Sequence, residues 1–201
     1  RAEQAGALLR EAQLERLTRQ MQPHFLFNAL NTISSLMHTD VARADATLVR
    51  LADVLRATLA LGEKPQASLG DELRLAQGYA AVMQERFDGR VTLVWDIEPA
   101  ALPVLLPAIS LQPLLENVFK HTVAHRRAPT AIRVEARLMD GALRLCIEDD
   151  GGVLVPSGTP GITVINLRTR LAALHGERAD LALHALLPAG VRAELRVPCA
   201  S

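Results

Sequence analysis

Four short stretches carry side chains able to do chemistry. MQPHFLFNALN, residues 21–31, sets His24 directly after a proline and one helical turn before Asn28. At ~100° per residue, Asn28, Asn31 and Ser35 fall within about 40° of His24, so an imidazole shares a helix face with two amides. A neutral imidazole is a competent nucleophile near pH 7, although a solvated polar stripe would use the same letters. LQPLLENVFKH, residues 111–121, sets Pro113, Asn117, Lys120 and His121 opposite Leu111, Leu115, Val118 and Thr122, with Glu116 beside the polar stripe. An amide oxygen suits Mg²⁺, and an ammonium and an imidazole suit phosphate oxygens, so this face fits a metal–triphosphate. The plain alternative is a solvated amphipathic helix. His121 and His125 also stand four residues apart, a spacing that can serve zinc, but no third ligand is obvious.

The other two stretches combine glycine with polar groups. In IEDDGG, residues 147–152, a carboxylate followed by glycines can read a purine amino group while letting backbone approach the base; a β-turn explains the letters equally well. In GTPGITVINLRTRL, residues 158–171, glycines precede a helix start, an arrangement that can cradle phosphate or be only a loop. None of the four decides the chemistry alone.

The elements that position these residues follow from periodicity. Leu26, Leu30, Ile33 and Met37 form a stripe opposite His24 and read as a core face. Leu14, Leu17 and Met21 project to the His24 side, and Pro23 at the junction permits a kink that would reconcile the two. Thr39 or Asp40 can cap a second helix whose apolar face is Ala44, Leu48, Leu51, Leu55 and Leu59, ending at Gly62 and Pro65. Ser68 and Asp71, in capping-box spacing, open a third with Leu69, Leu73, Ala76, Ala80, Met83 and Phe87 in register. Past Asp88–Arg90 the period becomes two, and Val91, Leu93, Trp95 and Ile97 mark a strand. A helix over about 107–124, strands over 131–138 and 142–148 joined by a tight turn, a loop, a helix over 164–174 and strands over 181–187 and 191–197 complete the chain. Three helices followed by β-α-β-β-loop-α-β-β predict an α+β fold with helices on one face of a sheet.

Composition narrows the function classes. Lys plus Arg and Asp plus Glu both number 22, which gives no nucleic-acid-binding face. Two cysteines are too few for a disulfide framework and fit a reducing cytosol. The most apolar run, residues 100–111, is interrupted by Pro103 and Pro107, and no stretch reaches the ~18–20 apolar residues of a membrane span. The opening residues, helical from the first position, suggest a piece of a longer protein.

Taken together and in this order, the stretches resemble the LytS-type sensor histidine kinases, over about residues 17–198. QMQPHFLFNALNTI is similar to that family's phosphoacceptor signature and LQPLLENVFKH to its N box. LGDELRLAQGYAAVMQERFD resembles the helix between them, and IEDDGG and GITVINLRTRL the two glycine-containing nucleotide boxes. The resemblance implies an N-terminal helical hairpin, residues 1–66, that forms a four-helix bundle in a homodimer. An ATP-binding α/β sandwich of the GHKL or Bergerat type, residues 67–201, follows it.

On the same basis His24 is phosphorylated from ATP with Mg²⁺, Asn28 steers the phosphate, Asn117 holds Mg²⁺, and Glu116, Lys120 and His121 line the phosphates. Asp149 contacts adenine, with Gly151, Gly161 and Asn166 in the nucleotide boxes. The implied partner is a response regulator, with the LytTR DNA-binding type as the candidate, and the implied location is the cytoplasmic side of a bacterial membrane reached through an upstream segment. Pro23 would loosen the helix so that His24 can meet a mobile ATP domain. No acid follows His24; Phe25 stands there, and the general base is unassigned.

Two positions depart from the family pattern. Val153 and Thr163 stand where glycines are usual, and a positive φ at either would cost ~1–2 kcal/mol. They motivate an alternative, a degenerate kinase acting as a non-catalytic dimeric scaffold. A third reading, an ATPase of the wider Bergerat group using Glu116 as base, is opposed by the PHFLFN stretch.

Overall fold

The computed structural model describes residues 23–154 and 161–199. Leu14, Leu17 and Met21 lie outside these residues, and with them the expected kink. Helix α1, Pro23–Leu36, has its proline at the first position, where a missing N–H costs nothing. Its buried residues are Phe25, Ala29 and Ile33, whereas Leu30 and Met37 are exposed, so the core face is rotated from the expected Leu26–Met37 stripe. The cause is Phe25, whose ring packs 4.7 Å from that of Tyr79.

Helix α2, Val41–Gly62, is capped by Asp40, whose carboxylate accepts the N–H of Arg43. It buries Ala44, Thr47, Leu51, Val54, Thr58 and Leu61 and leaves Leu48 exposed, a second rotation from the expected face. The threonines enter the core because their hydroxyls are satisfied one turn back, Thr47 on the Arg43 carbonyl and Thr58 on that of Val54. Helix α3, Leu69–Phe87, opens with Ser68 accepting the N–H of Asp71, and it buries all six apolar residues read from its sequence. It packs on both α1 and α2. Gly78 permits the approach to α2, since a Cβ there would stand 2.9 Å from Val54.

The main sheet has strands β2 Val91–Ile97, β4 Thr130–Met139, β5 Ala142–Asp149, β6 Asp180–Ala185 and β7 Val191–Pro198, in the order β2-β4-β5-β7-β6. Only β2 and β4 run parallel. The β4–β5 turn has Asp140 and Gly141 both at positive φ, the pattern of a two-residue hairpin. Ile132, Val134, Leu143, Leu145, Ile147 and Leu195 face inward under α4, Leu111–His121, and α5, Ile162–His175. The outer face carries ion pairs, among them Arg133 and Arg137 with Asp96 and Arg192 with Glu148.

Two short strands escape the sequence reading: β1, Gln66–Ser68, pairs antiparallel with β3, Leu105–Pro107. α4 begins at Leu111 rather than near 107 because Glu72 of α3 caps it from a distance. This fully buried carboxylate accepts the N–H groups of Ile109 (2.6 Å), Ser110 (2.8 Å) and Leu111 (2.9 Å). Ile109 is held there at φ +56°, and Arg170 of α5 donates to the carbonyls of Ala108 and Ile109.

Candidate active site

α4 carries one set of side chains into each of two hollows of similar size. The alternation of β5 puts Leu143, Leu145, Ile147 and Asp149 on the inner face, so the strand ends with a buried carboxylate beside α4. Asp149 Oδ1 accepts the N–H of Gly151 at 3.0 Å and that of Gly152 in a still shorter bond; among the described residues Oδ2 has no hydrogen-bond partner. The carboxylate stands in a cleft of about 190 Å³, with Asn117 and His121 on the α4 side and apolar walls from Leu114, Val118, Ile147, Val164 and Ala193. A fixed carboxylate with one free oxygen between apolar walls fits a flat base bearing an amino group.

Gly152 is part of this fit. A Cβ there would lie 2.8 Å from both Asp149 Oδ1 and Thr122 Oγ1. Behind it, Gly190 donates its N–H to the Gly152 carbonyl at 2.8 Å, and its φ of +126° with a virtual Cβ 2.2 Å from the Asp149 carbonyl admits only glycine. Gly152, Thr122 and Gly190 were not among the residues expected from sequence. Gly152 lay inside the IEDDGG stretch, whereas nothing local marked the other two. Gly161 lines the cleft at an extended φ of −59°.

The second hollow, about 220 Å³, lies on the adjoining face of α4. Glu116, Lys120 and Phe119 line it from one side and His24, Phe25 and Asn28 from the other, with Tyr79 and Met83 of α3 as the floor. His24 is exposed, and Asn28, one turn along, has its amide 2.8 Å from Nδ1. Burial pushes the Glu116 carboxyl above its usual range, opposed by a 2.8 Å hydrogen bond from Gln112 and by Lys120. Burial pulls His121 below its usual value, and the neighbouring Lys120 and His125 pull the same way. The ordinary histidine value already lies below 7, so the shift favours the neutral ring at pH 7.

Several expected residues sit elsewhere. Lys120 and Glu116 face the His24 hollow rather than the Asp149 cleft. Asn166 lines a wider depression between α4 and α5 with Pro113, Thr163 and Arg170. Gly151 lies under the Arg126 guanidinium, which pairs with Asp150 at 2.6 Å; a Cβ at Gly151 would stand 2.3 Å from it. Val153 and Thr163 are not among the residues at positive φ, and Thr163 is inside α5, so neither substitution strains the backbone. No group of three or more metal-ligating side chains exists among the described residues, and His121 and His125 stay without a third ligand.

Comparison with known proteins gives the family and the fold. The family model "Histidine kinase" matches residues 12–91. The chain is 34% identical over 193 residues to the sensor protein LytS of Staphylococcus haemolyticus, covering 90% of this chain and 33% of that protein. It is 29% identical to the sensor histidine kinase YesM of Bacillus subtilis, over 96% of this chain and 34% of that one. The chain thus spans about a third of the length of these relatives. In fold it is similar to the histidine kinase domain of the blue-light activated histidine kinase of Erythrobacter litoralis, with a TM-score of 0.54 at 15% identity over 94% of this chain and 91% of that one. The family model and the identity over nine-tenths of the chain together place this chain with the LytS-type sensor histidine kinases.

Proposed function

We propose that the chain is the kinase core of a two-component sensor, transferring the γ-phosphoryl group of ATP to His24 and from there to an aspartate of a response regulator. The observation that carries this reading is the shared helix. α4 offers Asn117 and His121 to the cleft that fits a purine nucleotide, and Lys120 and Glu116 to the hollow that holds His24. A triphosphate anchored by its base at Asp149 and running along α4 extends toward the imidazole. Phosphoryl transfer needs chiefly position and charge stabilisation.

In this reading Asp149 Oδ2 accepts from the adenine amino group, Leu114, Ile147 and Val164 exclude water around the base, and Gly152 keeps the wall flat. Asn117 presents an amide oxygen for Mg²⁺, which when bound neutralises phosphate charge. Lys120 meets the transferring phosphoryl oxygens. The nucleophile is a ring nitrogen of His24, whose lone pair forms the N–P bond as the P–O bond to the β-phosphate breaks and ADP leaves with the electron pair.

The division into a helical unit, residues 1–66, and a nucleotide-binding unit, residues 67–201, belongs to the same proposal. So do a second copy of the chain on the hairpin, a regulator of the LytTR DNA-binding type, and a cytoplasmic position reached from an upstream membrane segment. Among the described residues no helix is long and apolar enough to cross a membrane. The strain that motivated the scaffold alternative is absent at Val153 and Thr163.

The test is incubation with γ-labelled ATP and Mg²⁺ beside His24→Gln. Acid-labile label on the unmodified chain and none on the variant is the expected result. Equal labelling of both, or none on either in a sample shown by titration to bind ATP, would overturn His24 as acceptor.

A further inference from the structure

We infer that Arg86 of α3 is a catalytic residue of the transfer, its guanidinium meeting the oxygens of the phosphoryl group as that group reaches His24 and while it stays there. The inference rests on the reading that His24 accepts a phosphoryl group, and it adds a residue from a helix to which that reading gives no role. A phosphoryl group on an imidazole carries about two negative charges, so its site needs cations that are free to meet it.

Three helices supply the hollow at His24. α1 brings His24 and Asn28, α4 brings Glu116 and Lys120, and α3 brings Arg86 beside Tyr79 and Met83. Arg86 and Asn28 also line a polar groove that runs on past Asn31, Thr32 and Ser35. The hollow, at about 220 Å³, has several times the volume of a water molecule.

Arg86 is uncommitted there. Among the described residues no hydrogen bond or ion pair holds its guanidinium, which rests 5.0 Å from the centre of the Phe87 ring. The acid next to it in sequence is taken by α2: Glu85 pairs with Arg43 at 2.7 Å and with Arg50 at 3.6 Å. Lys120 has no ion pair among the described residues either. The one carboxylate lining the hollow is Glu116; burial disfavours its charged form, and Gln112 donates to it. Two unpaired cations from different helices therefore share a hollow with the nucleophile. A guanidinium resting on a ring face offers parallel N–H groups, which match two oxygens of a phosphoryl group as an ammonium cannot. In the transfer a ring nitrogen of His24 forms the N–P bond, the P–O bond to ADP breaks, and ADP leaves with its electron pair. Arg86 gives up no proton and acts by charge and hydrogen bonding alone.

The experiment loads the full chain chemically with phosphoramidate, which reaches the exposed His24 without ATP. The phosphorus-31 NMR signal that His24→Gln lacks is that of phosphorylated His24, and its shift against pH gives the ionisation of the phosphoryl group. Arg86→Gln is expected to raise that pKa by about one unit, since a cation beside an anion favours the ionised form. Arg86→Lys, which keeps the charge, should hold it near the unmodified value. Arg90→Gln removes the other cation over the Phe87 ring, at 5.3 Å and outside the hollow, and should leave it unchanged. With ATP and Mg²⁺, Arg86→Gln should label about tenfold more slowly at unchanged ATP affinity, the effect of one charged hydrogen bond. A phosphoryl pKa unmoved in Arg86→Gln, or moved as far in Arg90→Gln, overturns the inference. Because the chemical loading needs no nucleotide, an Arg86-dependent pKa in a chain that ATP does not label would overturn the kinase reading instead.

Discussion

At the scale of single residues, His121 carries the pH dependence expected of the proposed phosphate site. Burial holds it below its usual value, and Lys120 and His125 act the same way, so in the free protein its neutral form is favoured near pH 6.5. A triphosphate beside it favours the charged ring and raises its value. Binding of ATP near pH 6.5 is therefore expected to take up protons, visible as a dependence of calorimetric heat on the ionisation enthalpy of the buffer. His121→Asn should abolish that uptake, and an unchanged dependence in the variant would remove His121 from the phosphate site. The same depressed value has a stability sign: the contribution of His121 is present above the unfolded histidine value and lost as pH falls through the folded one.

At the scale of elements, the junction of α3, α4 and α5 turns on Glu72. Burial raises its carboxyl even against three N–H donors, which says how completely the group is removed from water. Glu72→Ala would leave the first N–H groups of α4 without a partner. The expected loss is about 3–5 kcal/mol in urea unfolding, and the α4 side chains should lose their alignment with the Asp149 cleft. A loss under about 1 kcal/mol would show that water or Arg170 replaces the cap.

That junction also explains what the sequence could and could not reveal. Ser68 capping Asp71 is local and legible, as are the α3 core face and the β4–β5 turn. Glu72 capping residues 109–111 spans nearly forty positions and leaves no periodic trace, so α4 was read several residues too long and β3 was missed. The rotated faces of α1 and α2 have a different cause. Phe25 drew notice only as the residue after His24, and Thr47 and Thr58 have no place in the apolar face read for α2, while all three are core. That Asn117 and His121 share one face of α4, and that a carboxylate stands at the end of β5, were legible from helix period and strand placement. Gly190 was not, since its role depends on a strand packed beside β5.

At the scale of the whole molecule, the rotations leave Phe27 and Leu30 of α1, Met37 just past its end, and Val41 and Leu48 of α2 exposed, with Phe27 67% accessible. In the proposed dimer, an apolar strip of this kind on a two-helix hairpin would form half of a four-helix bundle core. Replacing Phe27 and Leu30 together by Asp should convert a dimer to a monomer in sedimentation equilibrium, with the helix content of the chain retained. A dimer unchanged by the pair would place the interface elsewhere.

The aromatic rings set a further condition. Phe25, Tyr79 and Phe119 follow one another at 4.7 and 5.8 Å, and Phe87 stacks on Phe119 at 6.0 Å, a continuous column from the helix of His24 to the helix of Asn117. Each such pair contributes about 0.5–1.5 kcal/mol beyond the area it buries. His24 itself is exposed, so the column does not cover the imidazole; it fixes how α1 sits against α3 and α4. The rings therefore act as a hinge pin: in the proposed kinase reading, any change of angle between His24 and the Asp149 cleft has to part them.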